Sequence, residues 1–367
     1  MAFLNVLGAA RSGNGTLSLA ALYRVLPTEG TAYAGEKRLH RFLDNRLLDP
    51  RGVTDGLVRL ILGQRGRGLW PILFDQTKSG VTQAILAGVP FEGRVLPLSV
   101  YTFEYPWKEN ASPSQNQLEH IFLLDLEQSL PPNVRAVFIG DRGYARAMLF
   151  QKSQREERLY VIRGRAGTRI EWDGKSLKLG QLPYQSGQAI RYNVRYQAKE
   201  RVEVDVIAFY DPTFKEPWWL IVPAGCEAIL PTQTVVALYR ERMQVEQSFR
   251  DFKTHLGLRG LRLKVRLAER TGRLLLAFCI AYCMALVLGV SKEAKRARCD
   301  LEIERRRPRH GTCKTLSILS IAMQMLAHPK WRWFAYKGLR RIITQLSRGQ
   351  PALHRTPLLN CNLLQAA

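Results

Sequence analysis

The chain has 367 residues, of which 46% are hydrophobic, so it is long enough for two or three domains and is not disordered throughout. Lysine and arginine outnumber aspartate and glutamate by 55 to 31, which gives a net charge of +24. These basic residues are spread along the chain, a pattern that indicates a long polyanion, most simply nucleic acid, as the partner. A basic membrane-surface protein is the alternative, but no lipid-anchor motif or amphipathic terminal anchor favours it.

The N-terminal sequence MAFLNVLGAARSGNG lacks the basic n-region of a secretory signal, so we expect a cytoplasmic protein. The six cysteines show no paired CxxC spacing and are expected to be free thiols. The apolar run at 274–288 is shorter than the roughly 20 residues of a membrane helix, which favours a buried core helix. No membrane partner is therefore expected.

Residues 1–65 are predicted to be helical. Thr16 can cap a first helix, GEKRLHRFLDN suits a basic second helix, and residues 49–62 suit a third. Three short basic helices are compatible with a DNA-binding region, although any helical bundle shows similar spacing. The sequence GQRGRG at 63–68 marks the end of this region.

The pattern changes to strands at Leu69. The run LWPILF ends in Asp75, and because Pro71 is unfavourable inside a central strand, we expect the strand to begin just after it. Two further strands, TQAILAGV and GRVLPLSVYTF, precede an amphipathic helix at 113–129. The buried strand VRAVFI, a helix through ARAMLFQKSQ and the strand LYVIRG complete an α/β pattern.

Two acids in this pattern follow separate strands directly: Asp75 after the first and Asp141 after VRAVFI. In α/β sheets, side chains at the carboxyl ends of strands line the functional edge. The two acids therefore converge if the first and fourth strands are neighbours. Taken singly, each aspartate is more readily a turn or cap residue.

Residues 165–222 form a strand-rich segment that we interpret as an all-β insertion. Asp173-Gly174 is a hairpin signal between RIEW and KSLKL. The last strand, EPWWLIV, carries Trp218 and Trp219 and leads into the next helix. Because side chains alternate along a strand, the two rings point to opposite faces, and we expect one of them to be accessible near that helix.

A long helix is predicted at 232–257, with Thr232 as its N-cap and Gly257 just past its end. At helical spacing, four polar residues share one narrow face: Tyr239, Arg242, Glu246 and Lys253. The two other acids of this helix, Glu241 and Asp251, project away from that face, towards solvent.

An ordinary solvated helix surface is the plain interpretation of this polar row. Against it, Tyr239 is costly to leave on a solvated face. Glu246 is also the only acid among Arg242, Arg250 and Lys253, whose positive field would keep it ionised. The row is therefore a candidate for phosphate binding beside a carboxylate.

Beyond this helix the chain is strongly basic. The runs KEAKRAR and ERRRPRH form a positive linker before two further helical stretches, and they favour phosphate contact or a partner surface over a solvated face. The predicted division of the chain is a helical DNA-binding region at 1–65, a core at 66–164 and 223–290, the β-rich insertion at 165–222, and a basic helical C-terminal region at 291–367.

These residues resemble the DDE transposases of bacterial insertion sequences, specifically the IS-four family. That family has a YREK signature, in which Tyr, Arg, Glu and Lys are separated by two, three and six residues. The same spacing occurs here at Tyr239, Arg242, Glu246 and Lys253. Asp75 and Asp141 precede it in the family's order, and the similarity covers roughly 69–288. It implies an RNase H-like mixed sheet with an all-β insertion, flanked by helical regions, in the cytoplasm of a bacterium and associated with its nucleoid.

The resemblance also implies the chemistry. Asp75, Asp141 and Glu246 would bind two Mg²⁺ ions, or Mn²⁺ in their place, roughly 4 Å apart. Water attacks the phosphorus first, the freed 3′-OH attacks target DNA later, and no covalent protein intermediate forms. The family commonly moves by cut and paste through a hairpinned end, within a protein dimer, which we carry over as an expectation.

In the family, the Tyr, Arg and Lys positions hold the phosphate of the transposon end beside a flipped base on which a tryptophan stacks. Tyr239, Arg242 and Lys253 match those positions. Trp219 is the better match for the tryptophan, with Trp218 close behind, and Arg250 adds to the DNA-binding charge.

Two other functions stay open: a related metal-dependent DNA nuclease without strand transfer, and a catalytically silent DNA-binding protein derived from a transposase. The presence of all three acids counts against the silent protein, and the YREK spacing favours the handling of transposon ends over a simple nuclease.

Overall fold

The computed structural model describes residues 19–24, 30–63, 68–79, 82–104, 113–197, 201–252, 268–308 and 312–347. Its strands are β1 Gly68–Ser79, β2 Thr82–Phe91, β3 Arg94–Glu104, β4 Val134–Gly140, β5 Leu159–Arg163, β6 Arg169–Trp172, β7 Lys175–Lys178, β8 Ala189–Tyr196, β9 Val202–Phe209 and β10 Trp218–Pro223. They form one ten-stranded mixed sheet in the order β3-β2-β1-β4-β5-β10-β9-β8-β6-β7. A mixed α/β core is therefore confirmed.

Strand β1 lies between β2 and β4 in the middle of the core. It runs antiparallel to β2, with Leu73 opposite Gly88, and parallel to β4, with Leu73 opposite Ile139. The apolar sequence of β4 is buried along most of its length, as expected for a strand covered on both faces. The first and fourth strands are thus neighbours, which is the condition for Asp75 and Asp141 to converge.

Two details of the predicted first strand are wrong. Pro71 lies inside β1 rather than before it, opposite Val137 of β4. The proline is tolerated because the ladder with β2 begins only at Leu73, so no β2 partner needs its missing N–H. Asp75 also lies within the strand, because β1 continues to Ser79 alongside β2.

The strand-rich segment continues the same sheet. The hairpin between β6 and β7 turns at Asp173 and Gly174, which both have positive φ, as the sequence predicts. β10 pairs with β5 on one side and with β9 on the other, antiparallel to both, so it joins this segment to the core. The division of the chain into domains stays a prediction.

Helices occupy both ends of the chain and the faces of the sheet. The N-terminal ones are α1 Leu19–Arg24, α2 Ala32–Leu43 and α3 Pro50–Ile61, and the core adds α4 Gln115–Ser129 and α5 Ala147–Arg155. Thr31 caps α2 and Asp49 caps α3 through side-chain oxygens that accept backbone N–H bonds. The predicted cap Thr16 lies outside the described residues.

The single helix predicted at 232–257 is wrong: it is two helices, α6 Thr232–Glu241 and α7 Met243–Arg250, separated at Arg242. Pro231 rather than Thr232 is the N-cap. After α7 the chain makes a wider π turn at 251–252. Gly257 and Lys253 lie outside the described residues.

The remaining helices are α8 Ala268–Gly289, α9 Lys292–Leu301, α10 Ile318–Ala327 and α11 Pro329–Ser347. With 22 residues and a mean hydropathy of 2.0, α8 is long and apolar enough to cross a membrane, so the length argument from the sequence was wrong. Its most apolar window is 72% buried inside the protein, and it packs on β3, so it is the predicted core helix. The cysteines of the described residues are free thiols, as predicted.

Candidate active site

Asp75 and Asp141 lie near each other on the neighbouring central strands β1 and β4, at the end of the sheet where β4 finishes. The parallel register pairs Leu73 with Ile139; Asp75 is two residues further along β1, Asp141 directly follows the end of β4, and both acids line the same cleft. Neighbouring strands are about 4.8 Å apart, which sets the spacing of the two carboxylates. The predicted convergence of these acids follows from the register.

Local hydrogen bonds orient both carboxylates. Asp75 Oδ1 accepts the N–H of Gln76 at 2.8 Å, and Asp141 Oδ1 accepts the N–H of Gly143 at 2.7 Å. A Cβ at Gly143 would lie 2.8 Å from that same Oδ1, so a larger residue in the turn after β4 would displace the Asp141 carboxylate from this position. Asp141 is therefore both a cap and a held carboxylate.

Glu246 on α7 is linked to these acids through Arg242. The guanidinium lies 3.5 Å from Asp75 Oδ2 through Nη1 and donates to Glu246 Oε1 through Nη2. The Arg242–Glu246 pair has the i, i+4 spacing that brings side chains together on a helix. One arginine thus bridges the strand acid Asp75 and the helix acid Glu246.

The electrostatics of Asp75 reflect this crowding. Burial is the main cause that raises its pKa, to about 6, and the negative charges of Asp141 and Glu246 raise it further. The Gln76 hydrogen bond and the Arg242 charge act in the opposite direction. Its neighbours therefore do not fully offset the cost of the buried negative charge on Asp75. A cation bound beside the carboxylate would stabilise that charge.

The fit of a metal ion depends on Arg242. Carboxylate oxygens are the ligands that hard divalent cations prefer, and Asp75 and Asp141 are placed to share one. Within the described residues, however, no group of three or more His, Cys, Asp or Glu side chains is close enough to hold an ion. Arg242 lies between Asp75 and Glu246, so joint coordination by these two acids requires the guanidinium to leave. The donor set fits a divalent ion, and Glu246 is the ligand that must be released.

An aromatic cluster adjoins the polar row. Tyr239 is only 4% exposed, and its ring contacts Trp218 edge-on with centroids 4.9 Å apart. Phe214 stacks on the other side of Trp218 at 4.3 Å, and the Arg242 guanidinium lies 6.0 Å from the Tyr239 ring centre. Trp219 points to the opposite face and is buried beside Tyr184. Trp218, rather than Trp219, is the tryptophan next to the row.

The other predicted site residues are placed as follows. Arg250 is exposed at the end of α7, and Lys253 lies outside the described residues. The prediction that Asp251 faces solvent is wrong: it is 1% exposed and accepts hydrogen bonds from Arg94 at 2.5 Å and Tyr282 at 2.8 Å. A regular helix was assumed, but the break at 242 and the π turn at 251–252 change which way later side chains point.

A second charged pair in the same cleft escaped the sequence analysis. The cleft of about 290 Å³ that contains Asp75 and Asp141 is also lined by Glu119 and Arg146. Glu119 is 3% exposed and is ion-paired with Arg146, which also donates to Asn116 at 2.6 Å. Burial raises the pKa of Glu119, although the Arg146 charge opposes this shift.

A signal for Glu119 was present in the sequence. Along α4 it occupies the same stripe as Phe122, Leu123 and Leu126, which are buried. A lone acid in the apolar stripe of a helix is a buried charge that needs a partner. The sequence alone does not show that this stripe ends at the cleft.

The sequence around this site matches a known protein family. Residues 108–284 match the family model of the transposase DDE domain. The match supports a DDE transposase, a class of protein that acts on DNA. It contains Asp141 and Glu246 and begins after Asp75. No match is found among curated proteins.

The match and the fold agree. A large mixed sheet with helices at both ends of the chain is consistent with the RNase H-like fold of DDE transposases. DDE domains of this kind generally use divalent metals, which the carboxylates at the sheet edge are suited to bind. Membership of the IS-four family, the identity of the metal and the roles of single residues belong to the proposal below.

Proposed function

We propose that the protein is an IS-four-family transposase that cleaves the ends of its insertion sequence and joins the freed 3′-OH strand to target DNA by cut and paste. The observation that carries this proposal is that Asp75 and Asp141 follow the paired strands β1 and β4 to the same cleft, while Arg242 bridges Asp75 to Glu246 on α7. The DDE-domain match over 108–284 supports it independently.

In this proposal Asp75, Asp141 and Glu246 hold two Mg²⁺ ions, which Mn²⁺ can replace. When bound, such ions activate the attacking oxygen and stabilise the leaving oxygen of an in-line displacement. The contribution of the protein is to fix the carboxylates: β1 and β4 set the spacing of the two aspartates, and α7 brings Glu246 to them.

Arg242 has two roles in the proposal. Without DNA it neutralises Asp75 and Glu246, and with DNA it turns to a phosphate of the transposon end, which a guanidinium binds with two parallel hydrogen bonds. Its release frees Glu246 for the metal. DNA and metal binding are then coupled through one side chain.

The aromatic residues hold the DNA end in this proposal. Trp218 is half-buried beside Tyr239, so its remaining surface is available to stack on a displaced base. We assign this stacking to Trp218 because Trp219 is buried on the other face. Lys253 and Arg250 would contact neighbouring phosphates, and the helical region at 1–65 would bind the terminal repeats, within a homodimer on DNA.

One observation favours the silent DNA-binding alternative. Arg242 is ion-paired with both Asp75 and Glu246, so a guanidinium that never leaves these acids would give a binding protein without cleavage. A nuclease without strand transfer would use the same acids. The assay below distinguishes all three.

The test uses the full chain, Mg²⁺ and the DNA that flanks the gene, with its terminal inverted repeats. We expect cleavage at the repeat ends and joining to a target plasmid, and a loss of at least about a hundredfold in Asp75→Asn, Asp141→Asn and Glu246→Gln. Asp125→Asn, which changes an exposed acid on α4, is the matched control and should cleave normally.

Each outcome identifies one function. Cleavage without joining indicates the nuclease, and binding without cleavage by the unaltered protein indicates the silent binder. Normal cleavage by the Asp75→Asn, Asp141→Asn and Glu246→Gln variants refutes the assigned site.

A further inference from the structure

Helix α11 carries five basic residues between Lys330 and Arg341 and no acid. Its basic residues are Lys330, Arg332, Lys337, Arg340 and Arg341. It packs on α8, α9 and α10 and forms the last described element of the chain. Such a helix concentrates positive charge on whichever face the packing leaves exposed.

The two faces of α11 differ sharply. Its buried residues recur at helical spacing and face the neighbouring helices: Trp331, Ala335, Leu339 and Ile342. The opposite face presents an exposed row one turn apart, Trp333, Lys337 and Arg340. We call these three residues the α11 row.

Part of the charge of α11 is already compensated. Lys330 binds Asp300 at 2.5 Å, and Arg341 lies 3.5 Å from Glu293. Arg332 donates to the carbonyls that end α10. Within the part of the chain that the structure describes, Lys337 and Arg340 have no ion-pair partner. The uncompensated charge of the helix therefore lies in the α11 row.

Trp333 holds the ammonium group of Lys337 within the α11 row. The ring is 60% exposed, and the Lys337 ammonium lies 5.0 Å from its centre. A cation over an indole face is attracted by the ring, so Trp333 limits the positions that the lysine adopts. The row combines a held ammonium with a guanidinium one turn further along.

We propose that the α11 row is a further DNA-binding surface, which contacts the phosphate backbone of duplex DNA and contributes no residue to the cleft of Asp75 and Asp141. Lys337 and Arg340 are three residues apart, a rise of about 4.5 Å along the helix. Each DNA strand carries one phosphate per about 3.4 Å of helix axis, so the two cations can contact adjacent phosphates. Such contacts position DNA and carry no sequence information.

Duplex DNA fits the α11 row better than a membrane does. A helix that lies in a lipid surface buries its apolar face among the acyl chains, but the buried apolar residues of α11 face its neighbouring helices, and among its described large apolar side chains outside the α11 row only Phe334 and Ile343 are exposed, at 39% and 38%. The net charge of +24 also attracts a long polyanion. The ligand chemistry is therefore a row of phosphodiesters.

The test measures binding of the full-length protein to a duplex of unrelated sequence, without added metal, over a range of salt concentrations. The Lys337→Gln/Arg340→Gln variant should lose on the order of tenfold or more in affinity, and the slope of log K against log salt should fall by about 1.8. Arg340→Lys should retain the slope, and Trp333→Leu should weaken binding only severalfold. Thermal unfolding confirms that the variants are folded.

The matched control is Arg169→Gln/Lys175→Gln, which removes the same two residue types from the exposed β6–β7 hairpin. The proposal is overturned if this control loses as much affinity, if the double variant keeps the salt slope, or if its loss appears on phosphatidylserine vesicles rather than on DNA. Because the assay involves no cleavage, its failure is distinct from failure of the proposed transposase activity.

Discussion

The two aspartates and the glutamate of the candidate site are held in different ways. Asp75 and Asp141 are fixed by the register of β1 and β4, in the middle of a ten-stranded sheet. Glu246 is half exposed on α7, an eight-residue helix that begins after the break at Arg242, and it is tied to that arginine. The sheet thus presents a preformed carboxylate pair, whereas the third acid depends on how α7 is attached.

Three buried or half-buried contacts attach α7 to the β2–β3 hairpin. Gln244 accepts the N–H of Phe91 at 3.0 Å, and Ser248 Oγ accepts the N–H of Val95 at 2.8 Å. Asp251 completes the set by binding Arg94. The position of Glu246 relative to the aspartates therefore rests on polar contacts rather than on strand register.

The largest effect is expected at Asp251. Asp251→Ala removes a buried carboxylate and leaves the Arg94 guanidinium, whose side chain is 16% exposed, without its partner, which should cost about 3 kcal/mol of unfolding free energy. Urea unfolding measures this loss, and Glu104→Ala, which removes an exposed acid at the end of β3, is the control. Equal stability of the two variants would show that α7 is not held by this pair.

Asp75 should show a pH-dependent stability effect. Because burial raises its pKa to about 6, above the ordinary 3.8, ionised Asp75 destabilises the fold as pH rises through 6. Asp75→Asn, which removes this charge, should be more stable than the unaltered protein at pH 7 by at most about 3 kcal/mol. The difference should vanish below pH 4, where the carboxyl is protonated in both states.

Denaturant unfolding at several pH values checks this prediction. Asp125→Asn, at an exposed position on α4, is the control and should show no such pH-dependent gain. A gain from Asp75→Asn that is independent of pH would mean that the ionised carboxyl is not the destabilising group.

A smaller loss is expected at Ser248. Ser248→Ala leaves the buried N–H of Val95 without an acceptor, at a cost of about 1–3 kcal/mol. Ser320→Ala in α10 changes a half-buried serine on a different helix. If α7 is positioned as described, Ser248→Ala lowers metal-dependent cleavage more than Ser320→Ala at equal fraction folded. The reverse order would place the attachment elsewhere.

The same contrast explains what the sequence could predict. The apolar runs before Asp75 and Asp141 predicted two strands with an acid near each carboxyl end, but the convergence of the acids stayed conditional on those strands being neighbours, which only the sheet order and register show. Asp251 was assigned to solvent because a regular helix was assumed through a break and a π turn, which depend on tertiary packing.

The sequence analysis chose the wrong tryptophan and missed Glu119 for a related reason. Alternation correctly separated Trp218 from Trp219, but only the packing of α6 on β10 shows which ring meets Tyr239. Glu119 lies in an apolar stripe whose destination, the cleft of Asp75, is a property of the assembled sheet. Patterns along the chain fix the faces of an element, and packing decides what each face meets.

The smallest expected effect concerns Arg242, which joins the two kinds of acid. If its guanidinium competes with metal for Asp75 and Glu246, Arg242→Gln should bind Mn²⁺ about tenfold more tightly, a change of about 1.4 kcal/mol, while its affinity for DNA ends falls. Calorimetric titration measures the metal affinity.

Arg240→Gln is the matched control, since Arg240 lies two residues before Arg242, in α6, and pairs with Asp211 instead. Unchanged Mn²⁺ affinity in Arg242→Gln would mean that the arginine does not hold Glu246 away from the metal. An increase confined to Arg242→Gln would make this residue the link between the fixed aspartates and the movable glutamate.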